Sequence, residues 1–117
     1  MEYNQKNIKN EKTHNYKLLS DMYRDPYFPN NVVDMGRNIL IKLCLDIETQ
    51  KPKTLDELYK LTHSATEKFN DLENAFYENG SEIETAAREC IAEDFFQIAT
   101  AYGFDADTEE LIAPREW

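Results

Sequence analysis

Between Thr54 and Asn79, the residues Leu55, Leu58, Thr62, Ala65, Phe69, Leu72 and Phe76 follow one another at alternating steps of three and four. Positions so spaced share one face of a helix, and an apolar stripe this long requires other elements to cover it. Thr54 followed by Glu57 predicts a capping box, in which each side chain satisfies the other's free backbone N–H. Gly80 closes the helix by taking the left-handed conformation. Ser81 with Glu84 repeats the capping pattern ahead of Ile83, Ala87, Cys90, Ile91, Phe95, Ile98 and Tyr102. A second amphipathic helix from Glu82 to Tyr102, ended by Gly103, is therefore expected to fold back on the first as an antiparallel hairpin.

Upstream, Asn31 can cap a helix to Gln50, and the nineteen residues after it pass without a turn signal. Its residues Ile39, Ile41, Leu43, Leu45 and Ile47 alternate as in a strand, but the length favours a helix, apolar on most sides and therefore central. Gly36 within it marks a close helix crossing. Lys51-Pro52-Lys53 breaks the chain before Thr54. The loop Asp25 to Asn30 holds two prolines that forbid a continuous helix, and two aromatics, Tyr27 and Phe28, that either pin the loop to the core or offer a platform to a partner. Leu18, Leu19, Met22 and Tyr23 give a small apolar face to a helix from Asn15 to Tyr23. Residues 1–13 are rich in Asn, Lys and Glu with little to bury, and read as a flexible arm preceding a single helical domain over 14–117. Asp107 with Glu110 caps a short last helix that Pro114 ends. Beyond it Trp117, the sole tryptophan, is expected to dock as a latch with Arg115 paired to an acidic residue, or else to serve as a hook for a partner.

The formal charge is −10. From Met1 to Lys53 nine Lys or Arg face seven Asp or Glu, whereas from Thr54 to Ala113 three face fifteen. Phosphate neutralisation needs a basic face, so nucleic-acid binding is not expected, and a basic protein partner is the natural complement. The longest apolar run, Ile39 to Leu45, is interrupted by Lys42 and far too short to span a bilayer. With no apolar core near the N-terminus to form a signal peptide, a cytoplasmic location is expected. Cys44 and Cys90 lie on apolar helical positions as buried thiols rather than a redox or metal pair.

The strongest catalytic candidate is His63, with Glu67 four residues on and Tyr59 four residues back on one helix face. Glu89, Glu93 and Asp94 face it if the hairpin register allows. Asp94, between Cys90 and Ile98, needs a partner that Arg88, Lys42 or a tyrosine hydroxyl can supply. A di-metal bundle requires Glu-x-x-His on two helices, and only Glu11-x-x-His14 matches, so neither metal nor cofactor is expected. Three scattered glycines form no phosphate loop, and no serine sits in a nucleophile elbow.

Tyr59 to His63, the run NGSEIETAARECIAEDFF from Asn79, and AYGFDADTEELIAPREW from Ala101, together with DMYRDPYFP from Asp21, resemble a family of small bacterial proteins classed as a domain of unknown function. The resemblance spans about Tyr16 to Trp117 and implies a compact, mostly helical protein, with no catalytic residue to carry over. The expected fold is all-α: an antiparallel bundle of four main helices plus a short C-terminal helix, as a monomer or homodimer. The functional expectation is an interaction protein, of inhibitor type resembling immunity proteins or antitoxins. Its rival is a small-molecule-binding protein or enzyme with His63, Glu67 and Asp94 in one pocket.

Overall fold

In a computed structural model, which describes residues 2–117, the stripe read from Leu55 to Phe76 is one helix of 24 residues, Leu55–Glu78. Along the chain the elements are a 3-10 turn at Gln5–Asn7, then α1 (Glu11–Asn15), α2 (Ser20–Arg24), α3 (Asn30–Gln50), α4 (Leu55–Glu78), α5 (Thr85–Ala101) and α6 (Thr108–Leu111), with no strand among the described residues. The all-α expectation holds.

Leu58, Thr62, Ala65, Thr66, Phe69, Leu72 and Phe76 are the buried face of α4. At its start the Glu57 N–H donates to Thr54 Oγ1 at 3.2 Å, while the Glu57 carboxylate accepts from the Lys53 N–H at 2.6 Å. The reciprocal bond of the capping box thus forms one residue early. At its end Gly80 sits at φ 80°, the Ser81 N–H donates to the Phe76 carbonyl and the Gly80 N–H to that of Tyr77. This 6→1 and 5→2 pair satisfies the last carbonyls. It also takes Ser81 away from the second capping box: α5 begins at Thr85, and no side chain caps it.

Despite its alternating apolar residues, α3 is helical throughout, and Val32, Val33, Gly36, Leu40, Ile41, Leu43, Cys44 and Ile47 are buried around much of its circumference. Such width is what a helix covered from several sides needs. Joined by the four residues 51–54, α3 and α4 lie side by side, with Gly36 against Phe69 and Leu72 and Leu43 near Leu61 and Ala65. A Cβ on Gly36 would stand 3.1 Å from both Leu19 Cδ1 and Phe69 Cε1, which accounts for glycine at this crossing.

The pairing read from the sequence, α4 with α5, is replaced by α3 with α4. Helix α5 lies instead along α1, α2 and α6. It meets α4 through bulky rings, Phe69 against Phe95 at 6.0 Å between centroids, and large side chains hold the two backbones apart. Schellman-type bonds recur at the end of α5, where Gly103 is at φ 87° and Phe104 N–H donates to the Ala99 carbonyl.

The helix expected over Asn15 to Tyr23 is confined to Ser20–Arg24, because Leu19 adopts φ 54°. Such a conformation costs a non-glycine residue about 1–2 kcal/mol. Complete burial of the Leu19 side chain offsets this by a comparable amount. The expectation of an arm with little to bury over 1–13 also needs correction. Ile8 is 2% exposed, the Lys9 and Asn10 N–H groups donate to the Glu48 carboxylate at 2.9 Å, and the Asn10 amide donates to the Ala101 carbonyl. One isoleucine and a half-buried carboxylate partner on α3 are enough to dock this polar segment, and composition alone does not display them.

Past α6 the chain returns to α4. Trp117 is 6% exposed and packs edge-on against Phe69 at 6.2 Å, while Asn70 donates to the Pro114 carbonyl and accepts from the Glu116 N–H. Arg115 pairs with Glu109 at 3.3 Å and lies over the indole.

Candidate functional site

His63 projects from α4 toward α6. Its Nε2–H donates to the Glu110 carbonyl at 2.6 Å, since a carbonyl can only accept, and its ring stacks on Tyr59 at 5.9 Å. Glu67 lies exposed on the same helix. Asp94 points elsewhere: its Oδ2 accepts the Leu19 N–H at 2.6 Å and its Oδ1 the Tyr16 hydroxyl at 2.8 Å, at 3% exposure. Of the partners considered for Asp94, the tyrosine hydroxyl is realised, joined by a backbone N–H. Arg88 makes no such bond, and Lys42 pairs with Asp46. Among the described residues, no hydrogen bond links any two of His63, Glu67 and Asp94.

Burial pushes the Asp94 carboxyl up to about 6, against the lowering effect of the Leu19 and Tyr16 hydrogen bonds. Burial likewise raises the thiols of Cys44 to about 12 and Cys90 to about 11. Both are therefore weak nucleophiles near neutral pH. Among the described residues no group of three or more His, Cys, Asp or Glu is placed to hold a metal ion, and no helix is long and apolar enough to cross a membrane.

The aromatic candidates divide. Phe28 is buried against Phe76 at 6.2 Å, so it pins the loop, whereas Tyr27 is 42% exposed. Trp117 is docked on Phe69 as described.

A concave surface lies where the first half of α3 meets the second half of α4. It is a groove of about 600 Å3 with an apolar floor of Met35, Ile39, Leu72 and Ala75 and a rim carrying Glu2, Asp34, Asp71 and Lys68. Met35 is 51% exposed, a large apolar side chain in contact with water. None of these residues is among the sequence candidates. The available signal was Met35 itself, which sits beside Asp34 and apart from the Val32-Gly36-Leu40 stripe. The acidic half is equally open: 13 of its 15 carboxylates are exposed, and of the three ion pairs among the described residues only Arg115–Glu109 engages one of them.

A family model described as "Family of unknown function (DUF5713)" matches residues 12–117, and the chain belongs to that family. No curated protein and no solved structure matches the chain significantly.

Proposed function

We propose that this family member is a non-catalytic interaction protein that receives a basic, amphipathic segment of another protein in the α3–α4 groove. The observation that carries this reading is the groove's composition, an apolar floor under a rim with three carboxylates and one lysine. Apolar side chains of the partner would cover Met35, Ile39 and Leu72, and its cations would approach Asp34 and Asp71. The exposed carboxylates of the second half extend the same sign of field and would speed encounter with a cationic partner. His63, Glu67 and Asp94 give no support to catalysis, because His63 and Asp94 are each bound to a separate structural partner.

Affinity capture with the immobilised protein tests this reading. Basic proteins held at about 50 mM salt and released at about 500 mM should be lost when Asp34→Asn, Met35→Lys and Asp71→Asn are combined. An identical set retained by that variant would contradict the proposal.

A further inference from the structure

A second cleft differs in sign from the rest of the molecule. It occupies about 560 Å3 between the docked N-terminal segment, α2 and α3, and its charged lining groups are Lys17, Arg24 and Arg37, with His14 beside them. No carboxylate lines it, although the chain carries 23 Asp and Glu residues. Its tyrosines, Tyr16 and Tyr23, give their hydroxyls to Asp94 and Asp34, neither of which lines the cleft.

The cleft is also organised. The Gln5 amide donates to the carbonyls of Thr13 at 3.0 Å and Tyr16 at 2.7 Å, and its oxygen accepts from Arg37 at 2.7 Å. This one side chain fixes the Arg37 guanidinium against α1 and the following loop. His14 is fixed as well, its Nδ1–H donating to the Ile8 carbonyl at 2.9 Å, which leaves Nε2 as the other polar edge of the ring. Arg24 is restrained only by Asp21, at 3.5 Å and with both side chains about three-quarters exposed, a contact of little strength.

We propose that this cleft binds the phosphate group of a small molecule. Two guanidinium forks and an ammonium match the several oxygens and double negative charge of a phosphate, which the planar fork engages in bidentate fashion. The volume exceeds what a bare phosphate fills and lies within the range of small-molecule sites. Leu18, Asn15 and Ser20 then face the organic part of the ligand.

Calorimetric titration of the intact protein with pyrophosphate, at about 150 mM NaCl, tests the site, with citrate as the carboxylate control. Binding at a Kd of about 1 mM or tighter is expected, weaker binding of citrate, and a loss of about tenfold or more on combining Lys17→Ala with Arg24→Ala. Both side chains are exposed, so the variant should keep the wild-type circular dichroism and Tm. A second variant, Gln5→Ala, frees Arg37 and should weaken pyrophosphate without removing a charge. Absence of binding up to about 10 mM, unchanged affinity in the Lys17/Arg24 variant, or citrate binding as tightly as pyrophosphate would overturn the proposal.

Discussion

The Asp94 carboxylate on α5 accepts the backbone N–H of Leu19 at 2.6 Å, and so holds the residue whose left-handed conformation sets the start of α2. The same carboxylate takes the Tyr16 hydroxyl, so the turn from α1 to α2 is tied to the core at both ends by one side chain.

Removing that tie should be costly. Asp94→Ala leaves a buried N–H and a hydroxyl without partners, and a loss of about 2–4 kcal/mol is expected in urea denaturation at neutral pH. Asp94 also sets a pH dependence with an unusual sign. Burial lifts its carboxyl from 3.8 to about 6, so the folded state binds this proton more tightly than the unfolded chain. The proton-linked part of its stability is complete below about pH 4 and is lost as pH rises toward about 6, by on the order of 2–3 kcal/mol, while the bonds to Leu19 and Tyr16 persist. The stability difference between wild type and Asp94→Asn should follow that course. A difference that stays flat from pH 4 to 7 would contradict it.

Glu48 works in the opposite sense. Burial alone would raise its carboxyl, but the Tyr102 hydroxyl at 2.6 Å and the Lys9 and Asn10 N–H groups together outweigh it and hold the group below its ordinary value of 4.5. Its contribution is therefore present above that value and fades as pH falls through the lowered one. Glu48→Ala should cost about 1–3 kcal/mol and release the N-terminal segment. Hydrogen exchange at Lys9 and Asn10 should accelerate at least about tenfold, while amides of the α4 core stay protected.

The C-terminal tail is a packed element. Deleting residues 113–117 uncovers Phe69 and removes both bonds to Asn70, so a net loss of about 1–2 kcal/mol and a Tm lower by several degrees are expected. In the intact protein Trp117 should emit as a shielded indole. An unchanged Tm together with the emission of a fully wetted indole would reject the latch.

The long helices were legible because Leu58 to Phe76, and Ala87 to Ile98, repeat at helical spacing and end at Gly80 and Gly103. Gly36 and Trp117 could also be read, since each has few physical reasons to stand where it does. What escaped depended on distant backbone. Nothing in the pattern around Leu19 announces a positive φ, because the group that stabilises it is Asp94, 75 residues away. The docking of residues 4–13 depends in the same way on Glu48, and neighbours in sequence do not reveal it. Helix pairing was misread for a related reason: periodicity shows that α4 and α5 each have an apolar face, but not that Phe69, Phe95 and Trp117 fill the space between them. Neither cleft is visible in sequence, because each is assembled from separate elements. Met35 or Arg37 alone is an ordinary surface residue.

Whether the α3–α4 groove receives a basic amphipathic segment is decided by chemical-shift mapping of the isotope-labelled protein, titrated with a lysine-rich amphipathic helical peptide. Shifts concentrated at Asp34, Met35, Ile39, Asp71, Leu72 and Ala75, and diminished by Asp34→Asn with Asp71→Asn, are the predicted result. Shifts spread along the exposed carboxylates of α5 and α6 with the groove unmoved, or no shifts at all, would contradict it.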